Sequence, residues 1–457
     1  MNYLRTDEQT LCDLSIFEKP GKASIYDLYN RTVTQGGGSR LASLFRQPLA
    51  DEQEINRRSD LFQFFSLEEY KFPVDAVTIG SVAYYMDNDD VRSQLQPGGE
   101  TLSQKFKNMV AADADHVFVE DGVQACLRLF HQLTSFLKKL ENRVPHSPYE
   151  NLYGSLVRCV HDAAFDHLKK HVSEKHETRL SNFILAELDK QIRFDHRELI
   201  LKLLDMLYDL DVYIAVGQVA CKKSFHFAKA LPQDGSILKF AKVYHPYVEN
   251  AIPNDLQLSS EHNILFLTGA NMAGKSTLMK SIGIALYLGH MGFPVAAEHL
   301  EFSVRDAIYT SINLADNLNA GASHFYAEVL RVKEVAMALS QEKKIFVIFD
   351  ELFRGTNVKD AYDATISLTR AFTNKTGSQF IISTHIMEAG ELLAEESLSI
   401  QYRYLPTEMK GNTPSYTRIL KEGITDDRQG MIIIQNEGIL EMLDAGIQKK
   451  ELELWNS

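Results

Sequence analysis

A chain of 457 residues, 45% hydrophobic and 24% charged, is too long for one small core and too apolar for a disordered protein, so two or three globular domains are expected. Its 48 basic against 61 acidic residues give a net charge of −13 and a pI near 5.6, which excludes a broadly basic nucleic-acid coat and confines any polyanion contact to a local face. No apolar run of signal-peptide or membrane-spanning length occurs, and Cys12, Cys126, Cys159 and Cys221 are scattered without a CxxC pair, so a cytoplasmic protein with reduced thiols and no membrane partner is expected.

From about Leu11 to Leu231 the pattern is mainly helical, with apolar residues three and four apart. Val123, Cys126, Leu127, Phe130, Leu133, Leu137 and Leu140 fall on one helical face, the stripe of a core helix. Pro97-Gly98-Gly99 and Pro145-His146-Ser147-Pro148 mark loops. His167 and His171 have the i, i+4 spacing of a helical metal pair but lack an acidic partner motif, so a structural role is expected. A second helical tract runs from about Arg179 to Cys221, with Leu201, Leu204, Tyr208 and Val212 at helical spacing and a break near Phe194 to Arg197; its length suits a lever between distant parts. Arg57-Arg58, Lys138-Lys139, Arg143, Lys169-Lys170 and Lys222-Lys223 are the basic features available to DNA. Counterion-release binding needs about six or more aligned cations, so each of these reads first as a solvated face.

After Gly235 short β-rich runs alternate with helices. Asn263–Thr268 (NILFLT), Lys344–Phe349 (KIFVIF) and Gln379–Ser383 (QFIIS) are continuous apolar strands that each lead into a polar loop, as in a parallel α/β sheet. The first runs into Gly269-Ala270-Asn271-Met272-Ala273-Gly274-Lys275-Ser276-Thr277, which satisfies GxxxxGK[ST] between a strand and a helix. Glycines there let successive N–H groups curl around phosphates, and the following helix N-terminus favours negative charge. Lys275 then reaches the β and γ phosphates of ATP, and the Ser276 hydroxyl ligates Mg²⁺. The second strand ends in Asp350-Glu351: Asp350 suits the Mg²⁺ shell and Glu351 the general base that polarises an attacking water. The third delivers Thr384-His385, where an imidazole reaches the γ-phosphate or that water.

Together these segments resemble the MutS mismatch-repair family. TGANMAGKST is similar to that family's TGPNMGGKST loop, with Ala270 for Pro and Ala273 for the second Gly. FDELFRGTN (Phe349–Asn357) resembles DEIGRGTS, STHIMEAGEL (Ser383–Leu392) resembles STHYHEL, and Ala322–Glu328 resembles the STFMxE signature. The resemblance implies that Ser323 caps the γ-phosphate held by a second subunit. It also implies that Tyr244-His245-Pro246 and Ala251-Ile252-Pro253-Asn254-Asp255 cover the adenine, with Ile252 the apolar cover and Ala251 standing where the family commonly has an aromatic. Asn30–Thr34, Gly38–Leu41 and Gln47–Leu49, followed by Asp51, Ile55 and Arg58, look like the start of the MutS core domain, and Leu210-Asp211-Val212 with Ala215–Ala220 like its closing helix.

The chain starts almost at that core, so the mismatch-reading and connector domains are expected to be missing. The stretch from Phe72 to Arg179 looks short for a DNA clamp, and a short pair of helices is expected after Gly423, with Gly430–Gly438 resembling the family's closing helices. Phe118-Val119-Glu120 spells the Phe-x-Glu of mismatch readers but sits in the core region and reads as coincidence.

The expected fold class is a C-terminal α/β P-loop (ABC-type) ATPase domain, residues 236–457, preceded by a mostly α-helical core and lever domain, residues 1–235. The expected function is ATP hydrolysis at a composite site in a homodimer joined through the ATPase domains, driving clamp-like DNA binding without direct mismatch reading. An ATP-switched dimer acting on a protein partner is the alternative.

Overall fold

A computed structural model of the chain describes residues 2–17, 23–95, 109–172, 180–312, 324–396, 399–410 and 413–425, together with 439 and 442. The loop expected at Pro97–Gly99, the signature residue Ser323 and the segment Gly430–Gly438 lie outside the described residues.

The chain divides into two compact units, and neither is continuous in sequence: one comprises Tyr26–Arg46 and Arg57–Ser224, the other Met1–Ile25, Gln47–Asn56 and Phe225–Ser457. The single cut anticipated at 235 and 236 thus leaves two N-terminal segments and residues 225–235 on the other side.

The first unit is helical. Its longest helix, Met109–Leu140, buries all seven residues of the anticipated stripe in the core, where they meet Val82, Tyr85 and Met86 of helix Ala76–Asp87 and Leu203, Leu207 and Leu210 of helix Arg197–Lys223. The anticipated break in the second tract is a π-helical turn, Lys190–Asp195, between helices Asn182–Asp189 and Arg197–Lys223. That turn carries a fully buried ion pair, Arg193 Nε to Asp189 Oδ1 at 2.6 Å. Asp189 also accepts from Tyr85 Oη at 2.6 Å, and Arg193 donates to Ser93 Oγ at 2.8 Å and Ser93 O at 3.0 Å. Asp211 gathers Val33 N at 2.9 Å, Thr34 N at 2.8 Å and Thr34 Oγ1 at 2.7 Å, fixing the chain that enters helix Gln35–Arg46.

The second unit holds a six-stranded sheet in the order Lys421–Glu422, Ile400–Leu405, Ile264–Gly269, Gln379–Ser383, Ile345–Asp350, Ala307–Ser311. All its pairings are parallel except that of Lys421–Glu422 with Ile400–Leu405. The three strands read from sequence are there to within a residue, and their burial along almost every position explains their unbroken apolar pattern. Helices Lys275–His290, His324–Ser340, Val358–Thr373 and Met387–Glu395 follow the strands in alternation. A four-stranded sheet, ordered Lys229–Leu231, His299–Ser303, Leu238–Val243, Asn254–Leu258, lies in the same unit.

The N-terminal residues belong here for a physical reason: Ala307–Ser311 is an edge strand whose free backbone groups need partners. Arg5 pairs with Ala307 in parallel, and helix Glu8–Asp13 brings Asp13 Oδ2 to Thr310 Oγ1 at 2.8 Å and Ile312 N at 2.9 Å. Among the described residues no helix is long and apolar enough to cross a membrane.

Candidate nucleotide site

Strand Ile264–Gly269 is buried along its length and ends at Gly269, whose φ is +146°. A Cβ there would sit 3.1 Å from Leu405 O in a backbone conformation that side chains rarely adopt, so the turn requires glycine. Across the loop Ala273, which is buried, donates its N–H to Ala270 O at 3.3 Å, and Met272 is left-handed with φ +68° and 77% exposed. Asn271 and Thr277 are exposed at either side. Gly274 is the N-cap of helix Lys275–His290, and no side chain caps the first turn. Amides at such a helix start are an anion site.

Lys275 is buried and donates from Nζ to Gly269 O at 2.7 Å and Ala270 O at 3.2 Å. Burial pushes its amine below the ordinary lysine value, against the attraction of Glu351 and Asp350. Ser276 Oγ donates to Asp350 Oδ2 at 2.5 Å, joining the loop to the end of strand Ile345–Asp350. Asp350 Oδ1 is buried and, among the described residues, has no hydrogen-bond partner. Burial pushes this carboxyl above the usual range; the Ser276 hydroxyl works in the opposite direction, as does that of Ser383, whose buried Oγ is close by but forms no hydrogen bond of normal geometry among the described residues.

Glu351 follows with φ +56°, a left-handed conformation that costs a non-glycine residue about 1–3 kcal/mol and collects at functional sites. Its N–H donates to Ser383 O at 2.9 Å, its Oε1 accepts from His385 Nε2 at 2.5 Å, and its Oε2 lies 3.6 Å from Arg354 Nη1. The His385 hydrogen bond holds the Glu351 carboxyl below its ordinary value. Because Ile264–Gly269, Ile345–Asp350 and Gln379–Ser383 run parallel in adjacent register, loop, carboxylates and imidazole share one sheet edge.

Beside the loop is a cavity of about 240 Å³. Ile252 lines it together with Tyr244, His245, Met272, Gly274 and Thr277, so the segment read as adenine cover does meet the loop. Burial pushes the His245 imidazole below its usual value, and Lys280 adds to the effect.

A divalent cation fits these residues: a hydroxyl and a carboxylate, one of whose oxygens is buried and unpaired, are hard oxygen donors of the type Mg²⁺ takes. Ser276 and Asp350 would hold it.

Other sequence candidates stay apart from this edge. His167 and His171 stack edge to face at 5.2 Å, and among the described residues no group of three His, Cys, Asp or Glu side chains could hold a metal. Phe118 packs on Tyr84 and Tyr85 with Val119 fully buried, as in a core helix. Lys169 pairs with Asp166 at 2.7 Å, Lys222 with Glu69 at 3.9 Å, and Arg143 with Glu68. Two site residues had no sequence assignment. Arg354 lies inside the FRGTN segment and was findable there, whereas Arg418, on the cavity wall, belongs to no motif.

Comparison with known proteins gives two family matches, MutS domain III over residues 9–216 and MutS domain V over residues 265–452. Curated relatives named DNA mismatch repair protein MutS include that of Fusobacterium nucleatum subsp. nucleatum, 31% identical over 55% of this chain and 29% of its own length. Another, from Lysinibacillus sphaericus, is 29% identical over 50% of this chain and 27% of its own length. A third, from Chlorobium chlorochromatii, is 28% identical over 54% of this chain and 30% of its own length. The chain thus matches about three tenths of the length of these relatives. With one family model matching residues 9–216 and the other residues 265–452, the two together cover most of the chain, which belongs to the MutS family.

Proposed function

We propose that this chain is a Mg²⁺-dependent ATPase of MutS type, its hydrolytic site built on Gly269–Thr277, Asp350, Glu351 and His385. The observation that carries this reading is the Ser276–Asp350 contact with its spare buried carboxylate oxygen, one residue from a Glu–His pair. Loop amides and Lys275 bind the β and γ phosphates, and Ile252 covers the base. Mg²⁺, when bound, neutralises charge on the phosphate oxygens and orients them. Glu351 accepts a proton from the attacking water, and His385, whose hydrogen bond fixes the orientation of that carboxylate, senses the γ-phosphate.

The functional division is a helical core and lever followed by a P-loop, ABC-type ATPase domain, to which the N-terminal segments also contribute. The working form is a homodimer in which Ser323 of one subunit completes the other's site, and closure drives clamp-like binding of DNA. The relatives' names support the DNA role, and the packing of Phe118 in the helical core supports binding without mismatch reading.

The test is ATP turnover and DNA binding of the purified chain across salt. Mg²⁺-dependent turnover that disappears in Lys275→Ala, and DNA binding that weakens with salt and responds to ATP, are expected. A wild-type chain that does not turn over ATP removes the ATPase; failure of every DNA form to bind at low salt removes the clamp. A Glu351→Ala variant that stays monomeric with ATP removes the role of Ser323.

A further inference from the structure

The chain leaves strand Ile345–Asp350 through a turn that side chains rarely allow. Glu351 and Phe353 are both left-handed, with φ +56° and +64°. In the DEIGRGTS pattern that FDELFRGTN resembles, the second of these positions is glycine. Glycine adopts a positive φ freely, whereas phenylalanine holds it only where the surroundings over-determine the backbone.

Here the ring supplies that constraint. Phe353 is 4% exposed and, with Leu352, belongs to the core cluster that contains Val335, Phe349 and Ala361. It meets Phe325, in the first turn of helix His324–Ser340, with ring centroids 5.8 Å apart and planes at 59°. That separation and tilt are those of a favourable aromatic pair. Phe353 also lines a cavity of about 160 Å³ together with Glu351, Thr384 and His385. Hydrogen bonds to Ser383 O and from His385 fix Glu351 itself. The turn that carries Glu351 is fixed two residues on, by a buried ring. Once unseated, a non-glycine residue at that position relaxes to negative φ and carries the preceding carboxylate with it.

Resting on the reading of Glu351 as general base, we propose that Phe353 is a positioning residue for it: seated on Phe325, its ring holds the left-handed turn that presents the Glu351 carboxylate to the attacking water. Phe325 then acts on the base through Phe353. Nucleotide binding is indifferent to the pair, because the phosphate loop and the Ile252 cavity are built from other residues.

Steady-state ATP turnover, equilibrium ATP binding and ATP-induced self-association of wild type, Phe353→Ala, Phe353→Leu, Phe325→Ala, the double alanine variant and Glu351→Gln test this, with a urea melt of each. Phe353→Ala is expected to lower kcat about 10- to 100-fold with ATP affinity within about twofold of wild type, as for a displaced catalytic group. Phe353→Leu recovers part of the loss, Phe325→Ala shows the same split between kcat and affinity, and the double variant falls no further than Phe353→Ala. Wild-type kcat in folded Phe353→Ala overturns the proposal, as does a loss confined to ATP affinity or an additive double variant. A kcat loss accompanied by lost self-association overturns it too, since the effect then lies at the partner contact. Should Phe353→Ala fail to fold, unchanged kcat in Phe325→Ala has the same force. A wild type without turnover, or a Glu351→Gln that keeps it, overturns the underlying reading instead.

Discussion

Two clusters of buried charge, one in each unit, are built in opposite ways. In the helical unit Asp189 and Arg193 are completely buried and saturated with partners, Tyr85, Ser93 and each other, and Asp211 is enclosed by the donors of Val33 and Thr34. At the sheet edge of the other unit Asp350 keeps a buried oxygen unpaired, Lys275 leans on two loop carbonyls, and Met272 and Glu351 hold left-handed backbones. Saturated buried charge belongs to architecture, because every donor and acceptor is already spent. Unsaturated, strained charge is free to act on something else, and its cost is borne by the rest of the fold.

The sharpest way to break this contrast is Glu351→Gln. The amide cannot take a proton, so turnover falls by roughly 10²–10⁴-fold while ATP binding and the urea midpoint stay near wild type, measured by steady-state turnover beside equilibrium binding. Asp189→Ala shows the converse. Arg193 loses its buried counter-ion, and urea denaturation should report a loss of about 3–5 kcal/mol. Unchanged stability there would show that the pair is not architectural. Gly37→Ala places a Cβ 2.4 Å from Asp211 Oδ2 and crowds that cluster, with an expected loss of about 1–3 kcal/mol in the same assay. Lys222→Ala sets the floor. Its contact with Glu69, 3.9 Å between two largely exposed side chains, should move stability by less than about 0.5 kcal/mol.

Local pattern carried much of this into the sequence. The stripe from Val123 to Leu140 and the runs NILFLT, KIFVIF and QFIIS were readable because one face, or both, had to be apolar, and the chemistry-bearing residues follow those runs directly in the chain. Contacts between remote positions leave no such trace. Nothing in the periodicity of residues 2–16 reports that Asp13 will cap the end of strand Ala307–Ser311, or that Arg5 will cover its edge. The Asp211 cluster joins residues more than 170 positions apart, and its identity as a helix-entry clamp appears only with the fold. Arg418 is the same case on the cavity wall, since the residue that donates to its carbonyl and holds it there, Asn254, is distant in sequence.

The most direct test of the central claim is Lys275→Met, with ATP binding and urea stability measured on the same preparation. Burial disfavours the Lys275 ammonium, so if its function is to hold phosphate, removing it should abolish ATP binding and leave stability equal to or above wild type. Retained ATP binding, or a stability loss as large as that of Asp189→Ala, would contradict the account.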